Sequence, residues 1–172
     1  YLMGDIFDFW FEYHRVVPRG FTRVLARLAE LSARGVRVVL FTGNHDMWCY
    51  DYLAQECGVE IVRNPRVVEF DGVKVHLAHG DNLNISGQPM LKLMNTIFRS
   101  GVARTLFSWL VHPDLSLKFG LWWSGKSRKS HNKTLMGVDN LRPLVEYARE
   151  HNLKNGDVEH YIFGHMHLPH YV

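Results

Sequence analysis

Gly43-Asn44-His45-Asp46 is the stretch on which the reading of this chain turns. It follows an apolar run, Val36 to Phe41, that reads as a buried strand. Gly43 lets the backbone turn sharply where that strand stops. An amide, an imidazole and a carboxylate then come without a break. An oxygen ligand, a proton carrier and a partner for either are thus placed together. In open α/β sheets the carboxyl ends of strands are where ligands bind.

Working outward, other strands end in the same way. Upstream, Phe21, Val24, Leu25, Leu28 and Leu31 recur at helical spacing and Gly35 supplies a stop. A helix therefore feeds the Val36–Phe41 strand, half of a βαβ unit. Earlier still, Tyr1 to Met3 reads as the tail of a strand ending at Gly4-Asp5, with Asp8 following in an aromatic stretch. Taken alone, Asp5 would pass for a turn aspartate. Downstream, a shorter helix is expected over Tyr50 to Cys57 and a short strand over Val59 to Arg63. Val67–Phe70, Asp71-Gly72 and Val73–Leu77 form a hairpin pattern, because Asp-Gly is what a two-residue turn prefers. Its second arm runs into Ala78-His79-Gly80-Asp81. Pro143, Leu144, Val145, Tyr147 and Ala148 read as a second core helix. Tyr161 to Phe163 is then a short strand entering Gly164-His165-Met166-His167.

The chain has 172 residues, 47% hydrophobic and 22% charged, which suits one soluble domain with a real core, residues 1–172. A net charge of +3 is small for a nucleic-acid binder, and no nucleic-acid partner is expected. No apolar run reaches the roughly 20 residues that a membrane span requires. Cys49 and Cys57 are too few for a disulfide framework and lack metal-ligand spacing, which points to a reducing, cytoplasmic compartment. The opening Tyr-Leu-Met-Gly-Asp reads as the end of a strand, so sequence is expected to be missing at both ends.

Between residues 85 and 136 the character changes. Apolar and aromatic residues dominate, Asp114 is the sole acid, and short helices separated by Gly101, Pro113 and Gly120 are expected. The segment reads either as an ordinary helical packing layer or as a lid insertion with a greasy inner face. The run Lys126, Arg128, Lys129 and Lys133 is either solvated basic surface or a contact for anionic groups.

Four strand ends thus carry Asp5, Asn44 with His45, His79, and His165 with His167, each beside a glycine. Any one of them has a bland explanation as a satisfied structural group. Four together point to a shared metal site. Imidazole, carboxylate and amide ligands suit divalent ions such as Mn²⁺, Fe²⁺ or Zn²⁺, and the lack of cysteine argues against a closed structural zinc site. In an extended segment His165 and His167 could point the same way; in a turn they could reach two ions. An aspartate such as Asp5 can bridge two cations that clamp the oxygens of a phosphoryl displacement.

Gly4-Asp5-Ile6-Phe7-Asp8, Gly43-Asn44-His45-Asp46, His79-Gly80-Asp81 and Gly164-His165-Met166-His167 resemble, in order and spacing, the motifs of the calcineurin-like metallophosphoesterases. The Gly-Asp-Ile-Phe-Asp-Phe-Trp run, the Ala-His-Gly-Asp motif and the insertion look most like the diphosphatases that act on UDP-2,3-diacylglucosamine in lipid A synthesis. The resemblance implies an α/β fold, a β-sandwich of two mixed sheets flanked by helices, with a helical lid over residues 85–136. It implies two divalent ions, Mn²⁺ first among them. Asp5 would bridge the ions, Asn44, His79 and His165 would hold the second, and His167 the first. His45 would be the catalytic proton donor or charge stabiliser. Asp8 and Asp46 would orient the ligands or His45 without touching the ions. Asn44, His45, Lys126, Arg128 and Lys129 would meet the substrate. The family's D-x-H motif is absent, Asn84, Ser86 and Gly87 stand where acidic residues are expected, and many of the lipid enzymes carry arginine at the position of His45.

The activity so implied is hydrolysis of a UDP-linked acylated sugar lipid to UMP and a lipid 1-phosphate, at the inner face of the inner membrane. Tryptophans beside basic residues suit peripheral attachment to an anionic membrane surface. The alternatives are another metallophosphoesterase acting on a nucleotide, phosphodiester or phosphoprotein, and a non-catalytic member that binds metal or a partner.

Overall fold

The computed structural model describes residues 1–83, 89–134, 141–167 and 169–171, without the side chains of Leu91 and of residues 126–134. The ends of the expected 85–136 insertion, Asn84, Ser86 and Gly87, and the side chains of Lys126, Arg128, Lys129 and Lys133 lie outside the described residues.

Helix α1 (Thr22–Ala33) leads to strand β1 (Val39–Phe41), then to α2 (Tyr52–Cys57) and β2 (Glu60–Val62). β1 and β2 pair in parallel, with Leu40 opposite Ile61, and Leu2 bridges to Leu40 from the other side, also in parallel. The strand is shorter than its apolar run. Val36 is 48% exposed, and Arg37 reaches out to Glu60 at 2.8 Å, so the first residues of the run lie at the surface. The hairpin β3 (Arg66–Phe70) and β4 (Val73–Ala78) closes with Phe70 opposite Val73. Asp71 and Gly72 between them both have positive φ, 49° and 87°, as this turn demands. Strand β5 (His160–Phe163) adds in parallel to β4, with Leu77 opposite Ile162.

The alternation of side chains explains the layering. Val39 and Phe41 of β1, with Val62, pack against Val75 and Leu77 of β4, so the two sheets face each other. Leu40 points the other way, into a core with Phe7, Trp10, Leu28, Leu53 and Val59 beneath α1 and α2. On the far side of the second sheet, Ala78 and Leu83 meet Leu144 of helix α6 (Arg142–Asn155), with Tyr147 and Phe163 alongside. The result is the α/β sandwich of two sheets flanked by helices. Parallel strands in both sheets bring their carboxyl ends to one edge.

Three helices follow the second sheet's hairpin: α3 (Pro89–Arg99), α4 (Gly101–Leu110) and α5 (Pro113–Thr134). Ser100 caps α4 by accepting the Ala103 N–H, and Pro113 opens α5. Gly120 does not separate helices as the sequence suggested; α5 runs through it. A Cβ there would run into the ring of Phe9, so this glycine serves close packing. Phe11 lies 5.1 Å from Phe107 and Trp48 lies 5.6 Å from Phe98, ring centre to ring centre, which fastens α3 and α4 over the motif loops.

Candidate metal centre and cleft

Each strand that reaches the common edge delivers one piece of the site. After Leu2 the chain turns through Gly4 and Asp5, both with positive φ, 90° and 54°. A left-handed aspartate is uncommon and costs of order 1 kcal/mol, so the surrounding contacts must hold it. They do. Asp5 Oδ1 accepts the His45 backbone N–H at 2.9 Å, and Oδ2 faces His79 Nε2 at 3.4 Å and His167 Nε2 at 3.2 Å. Gly43 is needed because a Cβ there would overlap the Asp5 carboxylate and the His79 ring.

His79 leaves β4 with its Nδ1 2.7 Å from the Met3 carbonyl. That contact makes Nδ1 the donor and turns the Nε2 lone pair inward. Nε2 lies 3.3 Å from Asn44 Oδ1 and 3.3 Å from His165 Nδ1. Asp5, His79 and His165 thereby form a group able to hold a metal ion, and Asn44 adds an amide oxygen to it. A carboxylate oxygen, an amide oxygen and imidazole nitrogens turned on one another at these distances are held together by a shared cation or by protons on the imidazoles. The spacing matches ligands that share an ion at about 2.0–2.2 Å. His167 meets the same Asp5 oxygen from the opposite chain end and is itself exposed, so Asp5 Oδ2 stands between two sets of nitrogens.

Burial alone would raise the Asp5 carboxyl, but its hydrogen bond to His79 and that ring's charge outweigh burial and hold it well below the usual carboxylate range. Burial alone would lower His79, and the Asp5 carboxylate outweighs it in turn, so the imidazole is raised. Asp46 is fully buried and pushed up to about 6 by burial. Its oxygens accept the N–H groups of Gly43 at 2.6 Å and Ile6 at 3.0 Å, and so pin the first two motif loops together. Asp8 holds His45 through its backbone carbonyl, 2.9 Å from Nδ1, which leaves the other ring nitrogen free of that contact.

Asn44 and His45 also line a cleft of about 790 Å³, open to solvent, whose other walls are almost wholly apolar. Phe9, Phe11 and Trp48 come from the motif loops, and Phe98, Phe107 and Trp123 from α3, α4 and α5. Among the described residues Arg104 is the one arginine on its lining, with its guanidinium 3.7 Å from the centre of the Tyr50 ring. The structure thus gathers Asp5, Asn44, His45, His79, His165 and His167 at one place, with Asp46 directly beneath.

Two contributors escape sequence reasoning. Glu12 is buried and its carboxylate accepts the N–H groups of Tyr50, Asp51 and Tyr52 at 2.6, 2.9 and 3.3 Å, as well as the Trp10 indole. It fixes the segment that follows the Asn44-His45 loop. Arg99 pairs with buried Asp81 at 2.8 Å. Neither residue carries a local signal, since the loop N–H groups that Glu12 accepts and the carboxylate that Arg99 meets lie far away along the chain.

A family profile described as calcineurin-like phosphoesterase matches residues 1–169. Curated relatives include a protein named UDP-2,3-diacylglucosamine hydrolase from Porphyromonas gingivalis (strain ATCC BAA-308 / W83), 41% identical over 98% of this chain and 68% of that protein. A protein of the same name from Stutzerimonas stutzeri (strain A1501) is 29% identical over 98% of this chain and 68% of its own. Another from Edwardsiella ictaluri (strain 93-146) is 26% identical over 98% and 63%. The chain spans about two thirds of the length of these relatives.

Proposed function

The chain belongs to the calcineurin-like phosphoesterases, which are metal-dependent hydrolases, and on that premise we propose that it cleaves the diphosphate of UDP-2,3-diacylglucosamine to UMP and a lipid 1-phosphate. The observation that carries the substrate is the apolar cleft opening beside Asn44 and His45. Each buried methylene is worth about 0.8 kcal/mol, so two acyl chains there would dominate affinity. Helices α3 to α5 act as the lid over them.

The ligand set fits two divalent ions, with Mn²⁺ suited to its mixed nitrogen and oxygen donors. Asp5 would be shared by both, Asn44, His79 and His165 would hold one with it, and His167 would contribute to the other. Such ions, when bound, lower the pKa of water and neutralise phosphate oxygens. Asn44 and His45 orient the α-phosphate against the Asp5 edge of the site. His45, its Nδ1 fixed on the Asp8 carbonyl, uses Nε2 to share a proton or charge with the leaving phosphate. Asp46 keeps the loops of Ile6 and Gly43 in register while the bond breaks.

Among the described residues no helix is long and apolar enough to cross a membrane. Trp109, Leu110, Val102 and Trp122 on α4 and α5 are 85%, 81%, 72% and 58% exposed. With the basic run Lys126, Arg128 and Lys129 on α5, they suit peripheral attachment to an anionic membrane surface on its cytoplasmic side.

Purified protein with Mn²⁺ is expected to release UMP from UDP-2,3-diacylglucosamine and to stop when a chelator is added. The unacylated UDP-sugar should be poorer in kcat/KM by about a hundredfold or more, the worth of three or four methylenes. Equal turnover of the two would remove the lipid assignment and leave a phosphoesterase of other specificity.

A further inference from the structure

The last turn of α3 is fastened to two of the metal-site loops at once. Trp48, three residues after His45, donates its indole N–H to the Phe98 carbonyl at 2.7 Å. Arg99, the next residue, donates to the carboxylate of Asp81 at 2.8 Å, two residues after His79. The Asp81 side chain is 5% exposed and that of Arg99 27%, so water competes little for the pair. Phe98 and Ile97 line the apolar cleft, whereas Arg99 lines a small polar recess with Thr42, Asn82 and His79. One helical turn thus has one side on the cleft and the other on the loop that carries a metal-facing imidazole.

From this juxtaposition we infer that Arg99 is a positioning residue that couples occupancy of the apolar cleft to the placement of His79 around the cation. The inference rests on the proposed function in taking the cleft as the seat of acyl chains. A chain pressing on Phe98 shifts the end of a rigid helix, and Arg99 moves with it. A charge-assisted hydrogen bond transmits direction as well as proximity, so Asp81 and then His79 follow. Coupling of this kind is reciprocal: whatever fills the cleft tightens the metal, and the metal tightens whatever fills the cleft.

Dodecyl maltoside tests it, being a neutral single-chain amphiphile with no metal-binding headgroup. Mn²⁺ affinity is measured by calorimetry with and without the amphiphile below its micellar concentration. In the unmodified protein the amphiphile should tighten Mn²⁺ by about five- to tenfold, within the usual range for coupled sites. Arg99→Gln should bind the amphiphile normally and lose the tightening, and Arg99→Lys should keep part of it. Arg99→Gln combined with Asp81→Asn removes both charges, so a buried unpaired carboxylate cannot be the cause; melting curves of each metal-free variant report its folding. Equal tightening in all variants, or none in the unmodified protein, overturns the inference. Tightening without hydrolysis of UDP-2,3-diacylglucosamine leaves the coupling standing and sinks the substrate.

Discussion

At the scale of single residues, the site depends on which atom of each side chain is already engaged. His79 gives Nδ1 to the Met3 carbonyl and His45 sets Nδ1 against the Asp8 carbonyl, but only His79 turns its free nitrogen toward Asp5. His45→Ala should therefore lower kcat by about a hundredfold or more while the bound metal, measured by mass spectrometry, stays unchanged. Loss of metal in that variant would make His45 a ligand instead. Asp5→Ala should empty both positions, since one oxygen faces the nitrogens on either side. These residues were legible in the sequence because glycine and ligand sit side by side in each motif. Glu12 was not, because its three N–H donors lie about forty positions downstream.

At the scale of elements, packing decides what propensity leaves open. Gly120 looks like a helix break, yet α5 continues through it because Phe9 fills the space a side chain would take. Gly120→Ala gains helix propensity but forces that ring aside, and a net destabilisation of about 1–3 kcal/mol is expected in urea melts. A neutral or stabilising result would show that Phe9 can move freely. The hairpin was fully readable, down to the Phe70–Val73 closure, because Asp-Gly specifies its own turn. The start of β1 was not, because Val36 belongs to an apolar run and still lies at the surface.

At the scale of the whole molecule, two sheets share one core, with α1 and α2 on one outer face and α6 on the other. Beneath α6, His76 is 2% exposed, stacks on Tyr161 and meets the Tyr147 hydroxyl at 3.2 Å, with the His151 ring 4.7 Å away. Burial, and then the charge of His151, push its pKa down to about 4. The unfolded chain takes up that proton near pH 6.5, so the folded state binds fewer protons between the two values. Stability is therefore full above about pH 6.5 and falls by about 2–3 kcal/mol as pH drops toward 4. Urea unfolding of His76→Leu should show a flatter profile over that window; an unchanged slope would put the acid sensitivity elsewhere. The sequence showed which strand ends converge, but not this cluster, because its rings come from β4, α6 and β5 and meet only when the layers stack.

The contact between Asp5 and His167 joins positions 162 apart along the chain. Synthesis runs from one of these positions to the other, so the ribosome delivers His167 long after Asp5. A nascent polypeptide stalled anywhere between them lacks the His167 side of the site, however much of its core has condensed. Assembly of the full ligand set thus waits on the later of the two partners.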